Sequence, residues 1–374
     1  MKRHRTIGLA ASLALLLGLS ACAVRYQRRW NPLPQPPKVF EVFYATDRAV
    51  TDPAGITCKN SQTKLDAPLY GNARADDGQL RYGVFPIQVP AERKIGELVR
   101  YVRRTICLKG ATHKLFLTGP TPQPEEEFWN AIQEKFPAAG PRRILVFVHG
   151  YYYDFDEAAL WAAQFRQDLE FEGPQVLYSW PSARGRLRYV ADRTSVDWST
   201  PHLTAFLKEL AARFAGAEID LVAHSMGSQA LFDALRQIAA EPRGASAPRF
   251  AQVVLAAPDI DTWILRDRIQ PVLPLARRFT FYVSTRDRAL GAAARLHGYP
   301  RAGDLEFDPA LLRGIDIVDV TKVDRSRSGH NYFFDNRAVL TDLAELLRNA
   351  TPPEKRFGLV RVTTDSGMLW QFRK

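Results

Sequence analysis

Ser225 is the residue best placed to act as a nucleophile, within Ile219-Asp220-Leu221-Val222-Ala223-His224-Ser225-Met226-Gly227-Ser228. An apolar, strand-like run ends at this serine, and a helical pattern follows at once. So sharp a turn cramps the backbone, so the residues two before and two after the serine must be small, as Ala223 and Gly227 are. The hydroxyl then stands clear of the strand at a helix N-terminus, whose dipole favours the negative charge of an acyl-transfer intermediate. Small-x-Ser-x-Gly is common by itself; its place between strand and helix gives it weight.

Such a serine needs a base, and the base needs an orienting acid. His330, in Ser328-Gly329-His330-Asn331, follows the last strand expected in the core and precedes the last helix. His297 is the only other histidine downstream of Ser225, and it comes before that strand. For the acid, Asp287 follows the strand Phe279–Ser284 in Thr285-Arg286-Asp287-Arg288, whereas Asp259 and Asp261 follow the preceding strand, the other usable position. Plainer roles are an ion pair with Arg286 or Arg288 for Asp287, and turn or helix capping for Asp259 and Asp261. Asp316 and Asp319 flank the last strand and read as solvated. The oxyanion would be met by the backbone N–H of Met226 and by that of Tyr151, in His149-Gly150-Tyr151. His149 reads as bonding loop backbone. His224 reads as structural, pointing away from the active face if strand alternation holds. Tyr151, Tyr152, Tyr153, Phe155 and Trp180-Pro181-Ser182 either line an acyl pocket or simply pack. This chemistry needs no cofactor. No Cys/His cluster has zinc-like spacing, so no metal is inferred.

The elements that must hold these residues follow from periodicity. Strands are expected at Val39–Thr46, Leu80–Val89, Lys114–Leu117, Ile144–Val148, Gln175–Trp180, Glu218–His224, Phe250–Ala256, Phe279–Ser284 and Ile315–Val320. Helices are expected at Glu125–Phe136, Phe155–Phe171, Pro201–Phe214, Ser228–Ala239 and Ala338–Leu347. Continuous apolar strands alternating with helices predict a mostly parallel sheet flanked by helices, an α/β-hydrolase arrangement. The connection after Ala257 is short, which argues against a large cap, and Trp263–Leu275 could form a small lid.

The N-terminus carries a different message. Lys2, Arg3 and Arg5 precede a short apolar run, Ile7–Leu19, and then Leu19-Ser20-Ala21-Cys22. The run is too short for an ordinary membrane span. It resembles a bacterial lipoprotein signal, implying cleavage before Cys22 and lipidation of that cysteine; a plain secretory signal is the other reading. Ala23 follows where an inner-membrane protein would carry aspartate, so the expected location is the outer membrane, facing the periplasm. The expected organisation is a signal at 1–21, a proline-rich tether at 22–38, a hydrolase domain at 39–350 and a tail at 351–374. Within the domain, N-terminal strands occupy 39–140 and the core 141–350.

The formal charge of +11 falls to +8 when Lys2, Arg3 and Arg5 leave with the signal. Arg25, Arg28 and Arg29 beyond the anchor could touch anionic lipid, though the excess reads equally as a solvated basic surface. No basic motif has recognition spacing, so no nucleic-acid partner is expected. Cys58 and Cys107 either form one disulfide in an oxidising compartment or remain free thiols.

Several motifs taken together resemble the bacterial α/β-hydrolase family of unknown function catalogued as DUF900. They are Phe43-Tyr44-Ala45-Thr46-Asp47-Arg48, Phe147-Val148-His149-Gly150-Tyr151, Tyr178-Ser179-Trp180-Pro181-Ser182, Ala223-His224-Ser225-Met226-Gly227, Ala256-Ala257-Pro258-Asp259-Ile260-Asp261, Tyr282-Val283-Ser284, Asp287-Arg288-Ala289-Leu290 and Gly329-His330. The resemblance runs from about Val39 to Leu347 and implies an esterase- or lipase-like activity on a small-molecule or lipid ester. Tyr152 and Ser228 stand where that family commonly carries asparagine. A non-catalytic envelope lipoprotein that keeps the scaffold for binding or assembly is the alternative from another class.

Overall fold

A computed structural model of the chain describes residues 36–51, 56–57, 64–65, 69–97, 119–183, 185, 188–242, 248–305, 309–326, 328–364 and 367–373. Val39–Val89 and Arg93–Lys374 form one compact unit; Met1–Lys38 and Pro90–Glu92 form the other, of which only 36–38 and 90–92 are described. The expected signal, Cys22, Cys58, Cys107 and the strand expected at 114–117 lie outside the described residues.

The strands are β1 (Lys38–Thr46), β2 (Arg48–Val50), β3 (Ile56–Thr57), β4 (Lys64–Leu65), β5 (Tyr70–Arg74), β6 (Arg81–Val89), β7 (Thr121–Gln123), β8 (Arg143–Val148), β9 (Gln175–Ser179), β10 (Glu218–His224), β11 (Phe250–Ala256), β12 (Ala276–Val283), β13 (Asp316–Asp319), β14 (Leu359–Thr364) and β15 (Gly367–Phe372). The helices are α1 (Glu125–Glu134), α2 (Phe155–Leu169), α3 (Tyr189–Arg213), α4 (Met226–Ala240), α5 (Thr262–Arg268), α6 (Arg288–His297), α7 (Tyr332–Asp335) and α8 (Arg337–Asn349). Eleven strands make one sheet in the order β14-β15-β13-β12-β11-β10-β8-β9-β1-β6-β7, while β2 pairs with β5 and β3 with β4.

From β1 through β9, β8, β10, β11 and β12 to β13 every neighbouring pair is parallel. Their carboxyl ends therefore share one edge. The strands β8, β9 and β11 are buried along their whole length, as their apolar runs require. Alternate residues feed opposite layers. Val146, Leu221 and Val253 pack with Leu207 of α3, Leu235 of α4 and Leu265 of α5. Phe147, Val222 and Val254 pack with Phe165 of α2 and Leu343 of α8. The chain passes from β8 to β9 on one side and then to β10 on the other. That switch opens a crevice at the carboxyl edge between β8 and β10, where sheets of this kind place their sites.

Beyond short strands and helices that periodicity did not reveal, three regions differ from expectation. The helix expected at Pro201 begins at Tyr189, with Pro201 inside it. Pro201 lies on its exposed side, where water can take the carbonyl that proline leaves unpaired. Residues 351–374, expected as a tail, add β14 and β15 to the sheet, β15 parallel to β13. Trp263–Leu275 is a crossover packed on the sheet: Leu265, Ile269 and Val272 are fully buried. Opening it as a lid would expose all three, at roughly 1.5–3 kcal/mol each. The excursion after β12, Thr285–Gly303, carries α6. Its ends lie side by side, Ser284 N–H donating to the Gly303 carbonyl at 3.0 Å.

Candidate active site

Ser225 sits between β10 and α4 at φ 51°, ψ −124°, a left-handed backbone that a side chain rarely adopts. Hydrogen bonds hold it there. Its N–H donates to Ala256 O at 2.9 Å, and its carbonyl accepts from the N–H of Ser228 and of Asp259. Two glycines let the loop after β8 press onto this turn. A Cβ on Gly227 would lie 2.2 Å from the His149 carbonyl oxygen, and one on Gly150 would lie 2.9 Å from His224 Nδ1 and 3.1 Å from Ser225 Cβ. Neither space admits a methyl group.

The loops after β12 and β13 bring the other two side chains to Ser225. His330 Nε2 lies 2.9 Å from Ser225 Oγ, and His330 Nδ1 lies 2.7 Å from Asp287 Oδ2. A carboxylate only accepts, so Nδ1 carries the proton and the Nε2 lone pair faces the hydroxyl. Burial works against a charged imidazole here, but the charge and hydrogen bond of Asp287 outweigh it, and the His330 pKa is raised from its ordinary value. Asp287 is itself fixed at the start of α6, where Oδ1 accepts from the N–H of Ala289 and Leu290, both at 3.0 Å. Its expected alternative, an ion pair with Arg286 or Arg288, is not formed.

Asp259, at the other usable acid position, is engaged by other partners. Its Oδ1 pairs with Arg301 Nε at 2.7 Å and its Oδ2 accepts from Tyr189 OH at 2.6 Å, with both ion-pair partners buried. Asp261 caps α5 through the N–H of Trp263 and Ile264. His297 lies at the end of α6 against Tyr189 OH, 3.2 Å away. It is not brought to Ser225. Asp319 accepts from Thr321 and Gln371, and Asp316 pairs with Arg278.

His224 lies on the layer opposite Ala223, as alternation requires, yet it still touches the site. Its Nε2–H donates to the His330 carbonyl at 3.2 Å, and the two rings are 4.9 Å apart. Burial first, then the neighbouring His330, holds its pKa well below the ordinary value, so it stays neutral. It steadies the loop that carries His330.

Arg48 is the residue that sequence reasoning missed. It is completely buried just beyond β1, and its guanidinium reaches Ser179 Oγ (2.9 Å), the carbonyls of Tyr153 (3.0 Å) and Ser182 (3.2 Å), and His149 Nε2 (3.4 Å). Burial pushes its pKa down to about 10, against the opposing fields of Asp154, Asp47 and Asp192, so it remains a cation. His149 Nδ1–H donates to Gly150 O at 2.8 Å; burial, then the charge of Arg48, pushes its pKa down to about 3. The ring stacks on Trp180 at 5.2 Å. Ser182 Oγ accepts from Tyr152 N–H at 2.9 Å and donates to Asp192. Together these bonds fix the loop 149–153, including Tyr152 at the unusual φ of 75°. The available signal was a charged residue directly after a strand whose carboxyl end meets the site. Among the described residues, no three of His, Cys, Asp and Glu converge as a metal site would require.

The parallel sheet, its switch point and the strained turn at Ser225 define an α/β-hydrolase. The chain belongs to the family described as alpha/beta hydrolase of unknown function (DUF900), whose model matches residues 125–349. That match begins later than the motifs at Phe43–Arg48. Among solved structures, it is similar to an acetyl xylan esterase at 9% identity, with 52% of this chain and 92% of that one covered and a TM-score of 0.30. It is also similar to phospholipase PlaB from Legionella pneumophila, at 15% identity and a TM-score of 0.26, covering 51% of this chain and 40% of the phospholipase. An extracellular α/β-hydrolase from a Paenibacillus species gives 14% identity, coverage of 53% and 86%, and a TM-score of 0.24. A comparison with curated proteins found no match.

Proposed function

We propose that this α/β-hydrolase is a serine esterase, working through an acyl-Ser225 intermediate and held to the bacterial envelope by lipid on Cys22. The observation that carries the catalytic part is the chain of hydrogen bonds from Ser225 Oγ to His330 Nε2 to Asp287 Oδ2, at 2.9 and 2.7 Å. In this reading Ser225 Oγ attacks the ester carbonyl carbon as His330 Nε2 takes its proton. The oxyanion is met by the N–H groups of Met226 and Tyr151. Collapse expels the alcohol, which leaves with the proton held on Nε2. Water then gives a proton to Nε2 and attacks the acyl carbon, and the proton returns to Ser225 as the carboxylic acid departs. Asp287 keeps the imidazole in the required tautomer and supports its positive charge. The anchor reading is supported by the basic, apolar and Leu19-Ser20-Ala21-Cys22 segments in sequence.

Brief reaction with a p-nitrophenyl ester, acid quench and peptide mass analysis test the first part. The expected result is the acyl mass on the peptide holding Ser225; an acyl group elsewhere, or none during turnover, refutes it. For the anchor, Cys22→Ser should release the protein from membranes, and unchanged tight association refutes it.

A further inference from the structure

The segments leaving β9, β11 and β12 leave large apolar side chains in water around the mouth of the site. Val190 is 62% exposed, Trp263 45%, Leu296 59% and Tyr299 57%. Ordinary burial would remove such groups, and an apolar patch of this kind at a cleft marks a contact surface. Each is the chain neighbour of a residue on one path of contacts. The Tyr151 ring meets Tyr189 at 5.6 Å, Tyr189 meets the His297 ring at 5.6 Å, and the Pro300 carbonyl accepts from Thr262 N–H at 3.1 Å. The path thus runs from the loop after β8, past the start of α3 and the end of α6, to the start of α5. The Asp259 N–H bond to the Ser225 carbonyl ties it to the nucleophile.

Charge selects the occupant. Across 188–193, 259–268 and 287–301 every carboxylate is engaged: Asp192 with Ser182, Asp259 with Arg301, Asp261 with the start of α5, Asp267 with Arg266, and Asp287 with His330. Arg188, Arg268, Arg288 and Arg295 are exposed on the same segments. Arg266 lies over the Trp263 ring at 4.5 Å, an aromatic with a cation beside it. Apolar and aromatic tips set among arginines suit the boundary between acyl chains and anionic headgroups.

We propose that this rim seats the mouth of the site on an anionic lipid surface, so that the ester presented to Ser225 is that of a membrane lipid. The substrate half of this statement rests on the acyl-serine reading above; the docking half does not. The full chain carrying Ser225→Ala, with and without Trp263→Phe, is mixed with phosphatidylglycerol vesicles whose acyl chains are brominated. Loss of fluorescence attributable to Trp263 is the expected result. A lipid anchor alone would bind the chain without bringing Trp263 among the acyl chains, so vesicle-bound protein with Trp263 unquenched overturns the docking. Each of Arg268→Gln and Arg295→Gln should weaken the quenching roughly fivefold. Equal quenching in brominated phosphatidylcholine overturns the anionic preference, and protection of Trp263 by polyglutamate at matched charge assigns the rim to an acidic polymer instead. With Ser225 restored, Trp263→Ser with Leu296→Ser should lower turnover of phosphatidylglycerol vesicles at least tenfold and that of a soluble short-chain ester less than twofold. Equal losses overturn the lipid-substrate half. Quenching without turnover of any ester refutes the acyl-serine reading and leaves the docking standing.

Discussion

The loops after β11 and β12 begin at the same edge of the sheet, on neighbouring strands, and each offers a buried aspartate. Asp259 meets an arginine and a tyrosine; Asp287 meets an imidazole and two helix N–H groups. The first is a buried ion pair with a tyrosine on its other oxygen, an arrangement that holds the structure together. The second contains a group that gains and loses a proton near neutral pH, with a hydroxyl on its far side. Position in the fold makes either loop eligible, and the partner decides which one the proposed chemistry could use.

Substitution of each aspartate should separate these roles. Asp287→Asn is expected to lower kcat/KM by about 10³–10⁴, because an amide no longer enforces the imidazole tautomer. Asp259→Asn leaves Arg301 buried and uncompensated, which should cost about 3–5 kcal/mol in denaturant unfolding while the folded fraction keeps most of its turnover. If Asp259→Asn is folded yet as inactive as Asp287→Asn, the assignment of the two loops is wrong.

A pH profile sharpens the contrast. His330 acts as base only when neutral, and its pKa is raised from the ordinary value. The acid limb of kcat/KM should therefore fall above about 6.5, and residual activity in Asp287→Asn should persist to lower pH. The same raised value means that this ion pair stabilises the fold fully below the unfolded histidine pKa and that the contribution is lost as pH rises through the folded one. An acid limb that does not move in Asp287→Asn would detach it from His330.

The smallest effects concern helix capping. Asp261→Ala removes a cap and should cost about 1 kcal/mol in unfolding; Asp287→Ala removes a cap and the partner of His330 and should cost more. Only the second should abolish activity. Tyr152→Asn, placing a residue more tolerant of φ 75° in the loop after β8, should raise stability by about 0.5–1 kcal/mol. A loss there would mean that the Tyr152 side chain supports the loop.

These contrasts also explain what the sequence made legible. Ser225, His330 and Asp287, which the structure brings within hydrogen-bond distance of one another, are singled out by the sequence because strand ends and helix starts mark the few places where such residues can meet, and apolar periodicity reveals those places. Periodicity says nothing about a single buried cation, so the part played by Arg48 is visible only in the structure. The helix expected over Pro201–Phe214 extends back to Tyr189 because an exposed helix interior also accommodates proline. The β14–β15 hairpin escaped because β14 lies at the sheet margin with exposed residues and no long apolar run. The short connection after Ala257 left Trp263–Leu275 as a possible small lid, while Leu265, Ile269 and Val272 within it anchor the segment in the core.

Activation of Ser225 by His330 is the central claim, and labelling by a fluorophosphonate tests it most directly. The account predicts stoichiometric labelling of the folded wild-type chain on Ser225, none in Ser225→Ala, and a rate reduced by orders of magnitude in His330→Ala. A folded wild-type chain that resists the probe, or a His330→Ala variant labelled as fast as wild type, would contradict it.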